Sequence, residues 1–141
     1  MAKAIQAAAS AKVLLDTGDS DGACNRAYYA MFDAARAALL ESGAPVQPEI
    51  AKTHSGLISA FSMHLVKTGH VPIELGKALN KTEELRLIAD YKGDPIEKED
   101  AAWAVYQAQA FVQAMQAAFP SVKSPPASLN GSLISRPVSS E

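Results

Sequence analysis

Residues 21–40, DGACNRAYYAMFDAARAALL, carry alanine at 23, 27, 30, 34 and 37. The spacing alternates between four and three, which is one stripe of an α-helix. A stripe of methyl groups lets a neighbouring helix come close, because interaxial distance is set by the side chains at the contact. The chain is therefore expected to pack around this helix. Beside the stripe run Cys24, Tyr28, Met31, Ala35 and Leu39, which supply core bulk. A third strip is polar: Asn25, Arg26, Tyr29, Asp33 and Arg36. Two readings of that strip stand. It is a solvated face whose Arg stems and Tyr ring cover apolar surface, or it is a polar groove or subunit contact that binds a ligand or partner.

The periodicity continues on both sides. Residues 2–16 read as a first helix with Ile5, Ala9 and Val13 on one face, ended by Gly18. Lys12 and Asp16 interrupt its apolar character, so it reads as structure and not as a targeting segment. Asp19 or Ser20 suits the cap of the second helix, which stops at Ser42-Gly43. Pro45 and Pro48 are expected to keep the next loop non-helical. A third helix is expected from the N-cap Thr53 to Lys67, with Leu57, Ile58, Phe61 and Leu65 inward and Gly69 as the stop. Pro72 opens a fourth, with Leu75, Leu79, Thr82, Leu85 and Ala89 inward and Gly93 at its end. Asp94-Pro95-Ile96-Glu97 resembles a capping box for a fifth helix reaching Phe119, with Trp103, Tyr106, Ala110, Ala114 and Ala117 along one side.

Residues 120–141 hold four of the eight prolines and no periodicity. They read as a disordered Pro/Ser-rich tail. No stretch alternates with period two beside a turn signal. The expected fold is all-α: an antiparallel up-and-down bundle of four to five helices over residues 1–119.

No run of apolar residues is long enough to span a bilayer. The net charge of −2 is not that of a protein that holds nucleic acid by bulk charge, although a local basic patch is compatible with it. The single cysteine, Cys24, excludes an intramolecular disulfide and lies on the apolar side of its helix. A reducing cytoplasm fits this usage.

Few residues offer chemistry. His54, His64 and His70 have no partner at helical spacing, so neither a metal site nor a cofactor is expected. His54 opens the third helix, where free backbone N–H groups can hold an anion; the other reading is a local cap or a surface imidazole. In ELRLIADY, Glu83, Arg86 and Asp90 share one side of the fourth helix. They form either a surface ion-pair ladder or an arginine held by carboxylates toward a phosphate, with Tyr91 beside it.

NRAYYAMFDAARAALL at 25–40, KTHSGLISAFSMHLVKTG at 52–69 and LRLIADY at 85–91 together resemble a bacterial and archaeal branch of the HEPN family. The resemblance implies a helical bundle, a homodimer, and a minimal nucleotidyltransferase as partner in a toxin–antitoxin-type pair. In active members it implies a metal-independent RNase, with an Arg and a His from each copy meeting at a dimer cleft. Ribose 2′-OH attack on the adjacent phosphate would need proton transfer and stabilisation of the charged phosphorane. Arg86 matches the motif arginine. Leu87 stands where a polar residue is usual, and Tyr91, not His, follows after four residues. The implied catalytic set is Arg86 with Tyr91, Asp90 or His54, and Tyr91 is also the nearest candidate for nucleotide attachment. With the motif His missing, the sequence favours a module that binds nucleotide, RNA or protein without robust catalysis. The alternative is an endoribonuclease using Arg86.

Overall fold

The structure, a computed structural model, describes residues 1–120. Six α-helices occur among them: α1 Ala2–Asp16, α2 Ser20–Ser42, α3 Pro48–Lys52, α4 His54–Phe61, α5 Ile73–Lys92 and α6 Lys98–Ala118. The residues expected to form a tail lie, Pro120 apart, outside the described ones. Among the described residues there is no strand, and no helix is long and apolar enough to cross a membrane.

The central position of α2 follows from its composition. Its alanines 23, 27, 30 and 34 are fully buried, as are Cys24, Tyr28, Met31 and Ala35. The helix packs most extensively on α1 and α6, and then on α5 and α4. The seam facing α1 and α6 is built of small side chains, with Ala4 and Ala11 of α1 and Ala101, Ala104 and Ala108 of α6 all fully buried.

The helix boundaries follow the expected signals. Asp19 accepts from the N–H of Gly22, and Thr53 accepts from the N–H of Gly56. Gly18, Gly43, Gly69 and Gly93 all take positive φ, the left-handed conformation that a helix stop requires and a Cβ disfavours.

Four expectations need correction. The loop after α2 is not wholly irregular: Pro48 sits at the start of the short α3, where its missing N–H costs nothing. The expected third helix is divided. Its last part, Ser62–Val66, is a π-helical turn in which the N–H of Lys67 donates to the carbonyl of Ser62 over 2.8 Å. The capping box does not form, since α6 begins at Lys98. Ile96 is instead buried, and its N–H donates to Asp21 Oδ1. The stripes picked out on the outer helices are also not the buried ones. On α1 the buried residues are Ala4, Ala7, Ala8 and Ala11, while Val13 is 61% exposed. On α6 they include Ala104, Ala108 and Phe111, while Tyr106 is 67% exposed. On α1 the large side chains do not mark the inner face, because a close contact selects the small ones.

Candidate functional site

The side of α2 opposite the alanine seam meets α4 and α5. Tyr28 is central there and is completely buried. A buried phenol needs a partner for its hydroxyl, and two are present. Its Oη lies 2.6 Å from His54 Nδ1 and donates over 3.5 Å to Glu83 Oε2. Burial, and then the negative charge of Glu83, hold the hydroxyl well above the usual tyrosine range, so Tyr28 keeps its single proton.

That proton couples the three groups. When Tyr28 donates to Glu83, His54 Nδ1–H donates to Tyr28 and Nε2 keeps a free lone pair. When Tyr28 donates to His54, Nε2 carries the hydrogen. The imidazole can therefore present either an acceptor or a donor at Nε2. Its ring is fixed by the rings of Tyr28, Tyr29 and Phe32, with centroids 5.4, 5.9 and 5.2 Å away. His54 is thus neither a simple cap nor a free surface imidazole.

Arg86 packs on the same tyrosine. Its guanidinium carbon lies 4.9 Å from the Tyr28 ring centroid. Its Nη1 donates to Asp90 Oδ2 over 2.8 Å, and only 11% of its side chain is exposed. Its Nε is buried with no hydrogen-bond partner among the described residues. Of the two acids expected beside it, Asp90 pairs with Arg86, whereas Glu83 serves Tyr28. One cation and one imidazole thus meet on a single aromatic ring, a pairing suited to holding a phosphate and moving a proton beside it. Tyr91 is 84% exposed on the outside of α5.

The polar strip of α2 is divided by the fold, and all five of its residues are half-buried. Arg26, Tyr29 and Asp33 line a cleft of about 510 Å³ with Lys3, Gln6 and Ser10 of α1. Arg26 lies 5.5 Å from the centroid of the Tyr29 ring. Arg36 lies over Phe32 and reaches Asp33 at 3.8 Å. Asn25 belongs to the same strip but not to the cleft wall.

Cys24 is buried, and its thiol is pushed up to about 12, first by burial and then by the charge of Asp21. It is inert core, as its helical position indicated. Among the described residues no group of three or more His, Cys, Asp and Glu side chains is placed to hold a metal ion.

Sequence reasoning assigned Tyr28 to the core and missed its hydroxyl. The available signal was its place between the apolar and polar strips. A tyrosine there, unlike a phenylalanine, brings a group that must find a partner.

The HEPN domain model matches residues 1–118. A Gloeobacter violaceus protein named UPF0332 is 37% identical over 115 residues, covering 80% of this chain and 87% of that protein. A Methanocaldococcus jannaschii protein named Putative toxin is 34% identical over 109 residues, covering 77% and 78%. A Thermotoga maritima UPF0332 protein is 38% identical over 109 residues, covering 75% and 77%.

Proposed function

The chain belongs to the HEPN domain family, and on that premise we propose that it is the HEPN partner of a minimal nucleotidyltransferase in a toxin–antitoxin-type pair. In this reading it works as a homodimer and binds nucleotide or RNA around Arg86 without robust catalysis. The observation that carries the reading is the Arg86 side chain, mostly buried, oriented by Asp90 and Tyr28 and left with an unpartnered Nε. A guanidinium fixed in this way suits a phosphate group, whose oxygens accept charge-assisted hydrogen bonds. Two relatives, both from Methanocaldococcus jannaschii, bear toxin names, which supports the toxin–antitoxin setting. The absence of catalysis is supported by Tyr91 at the motif's His position, since a phenol is a poorer base than an imidazole.

One observation favours RNA cleavage as a second reading: the 2.6 Å contact between His54 and Tyr28 beside Arg86. In that mechanism His54 Nε2 takes the proton from a ribose 2′-OH as its oxygen attacks the adjacent phosphorus. Arg86 stabilises the charge on the phosphorane oxygens. The bond to the 5′-oxygen breaks, that oxygen takes a proton from water, His54 returns its proton to the resulting hydroxide, and a 2′,3′-cyclic phosphate remains.

The test uses purified full-length protein and total RNA, with Arg86→Ala, His54→Ala and Tyr91→Phe beside it. The first reading expects binding without cleavage, weakened about tenfold by Arg86→Ala. Cleavage that disappears in both Arg86→Ala and His54→Ala would establish the second. Failure to bind either RNA or a transferase encoded next door would remove both. A monomer by light scattering at micromolar concentration would remove the dimer.

A further inference from the structure

We infer that the cleft between α1 and α2 is a second binding site, and that it takes one phosphate-bearing nucleotide unit. The cations of the cleft are available. Among the described residues Lys3 and Arg26 are in no ion pair, whereas the carboxylate of Asp33 is shared with Arg36 at 3.8 Å. The cleft lining thus carries two cations against the one carboxylate of Asp33, which leaves it net positive toward an anion. Its volume of about 510 Å³ lies within the ~300–1,000 Å³ of small-ligand sites.

The remaining wall specifies more than an anion. Arg26 and Tyr29 form a packed guanidinium–ring pair, 5.5 Å from carbon to centroid, and flat groups of this kind stack on nucleobases. The Gln6 amide and Ser10 hydroxyl line the same cleft and can pair with base or ribose edges. A phosphate on Lys3 and Arg26 with a base against Arg26 and Tyr29 uses every one of these groups.

The cleft also adjoins the first site. Tyr29 is shared: one part of its ring lines the cleft, and its centroid is 5.9 Å from that of His54. A nucleotide in the cleft is therefore a neighbour of whatever Arg86 and His54 hold. Two sources supply this chemistry, a free mononucleotide and one residue of an RNA strand. The strand source rests on the RNA reading above; the mononucleotide source does not.

The experiment titrates ¹⁵N-labelled full-length protein with 5′-AMP, with adenosine and with a single-stranded RNA dodecamer. The proteins are the wild type, the double variant Lys3→Ala/Arg26→Gln, and Arg86→Ala. The expected result is that 5′-AMP shifts amides of residues 3–10 and 26–33. Adenosine should shift them less, and the double variant should bind 5′-AMP about tenfold more weakly. If 5′-AMP leaves those amides unmoved, or the double variant binds it like wild type, the inference is overturned. Shifts by 5′-AMP in a protein that does not bind the dodecamer would support the cleft as a mononucleotide site and remove only the RNA reading. Dodecamer binding weakened by Arg86→Ala but not by the double variant, with the cleft silent to 5′-AMP, would remove only the cleft.

Discussion

The two faces of α2 meet opposite kinds of neighbour. Toward α1 and α6 the buried contact is apolar and rich in alanine, with Phe111 and Met115 of α6 adding bulk. Toward α4 and α5 it is made of Tyr28, Phe32, His54, Glu83 and Arg86, where rings and charges pair with one another and only Arg86 Nε is left without a partner among the described residues. The first face sets how close the helices come. The second holds polar groups in place at the edge of the core. One helix can do both because its stripes repeat along the whole rod, so a rigid small-residue seam holds the chemical face still.

This contrast makes the two faces fail differently. The largest effect is expected on the seam. Ala27→Leu inserts bulk where nothing is exposed and should cost ~1–3 kcal/mol or more, read as a lower urea midpoint. A neutral result would show that the seam is not close-packed. Next comes the polar face. Tyr28→Phe keeps the ring under Arg86 but removes the partner of His54 Nδ1, with a loss of about 1–2 kcal/mol. NMR of the imidazole should then show a changed tautomer balance. An unchanged His54 spectrum would dissolve the coupling between Tyr28 and its neighbours.

A third effect, small just above pH 9, concerns the thiol behind the seam. Burial raises the Cys24 pKa from 9.0 to about 12 in the folded protein. In that window the unfolded chain loses the proton and the folded one keeps it, so stability is full below pH 9 and falls as pH rises toward 12. Cys24→Ala should make the alkaline decline shallower in unfolding curves across that range. Equal slopes in the two proteins would contradict this. The smallest effect belongs to neither face. Lys12 and Asp16 form an exposed pair at 2.7 Å on α1, and Lys12→Ala should change stability by less than about 0.5 kcal/mol, vanishing in high salt. A larger loss would mean that the outer face of α1 matters as much as its seam.

Much of this was legible in the residues. The alanine repeat of α2, the caps Asp19 and Thr53 and the four glycine stops are local signals, and they form as read except at the end of the repeat, where Ala38 is buried and Ala37 is half-buried. The buried face of α1 was not legible, because its largest side chains, Ile5 and Val13, lie away from it. The buried residues of α1 are all alanine, whereas α6 buries Phe111, Val112 and Met115 beside its alanines. For the site, Arg86 with Asp90 was legible because helical spacing fixes an i, i+4 pair. His54 beside Arg86 was not, since nothing local relates residues on α4 and α5. They meet only through Tyr28, contributed by a third helix.

The amino-acid order alone therefore determined the long rods, most of their ends and most of the small-residue face of the central one, because each is set by neighbours within a turn or two along the chain. Only the tertiary structure decided which polar groups became partners. It carried His54 to Tyr28, gave Glu83 to the phenol and not to the arginine, and opened a cleft beside Arg26 and Tyr29. Those outcomes depend on how helices distant in sequence are rotated against each other. Packing of the whole core fixes that rotation, and no local pattern encodes it.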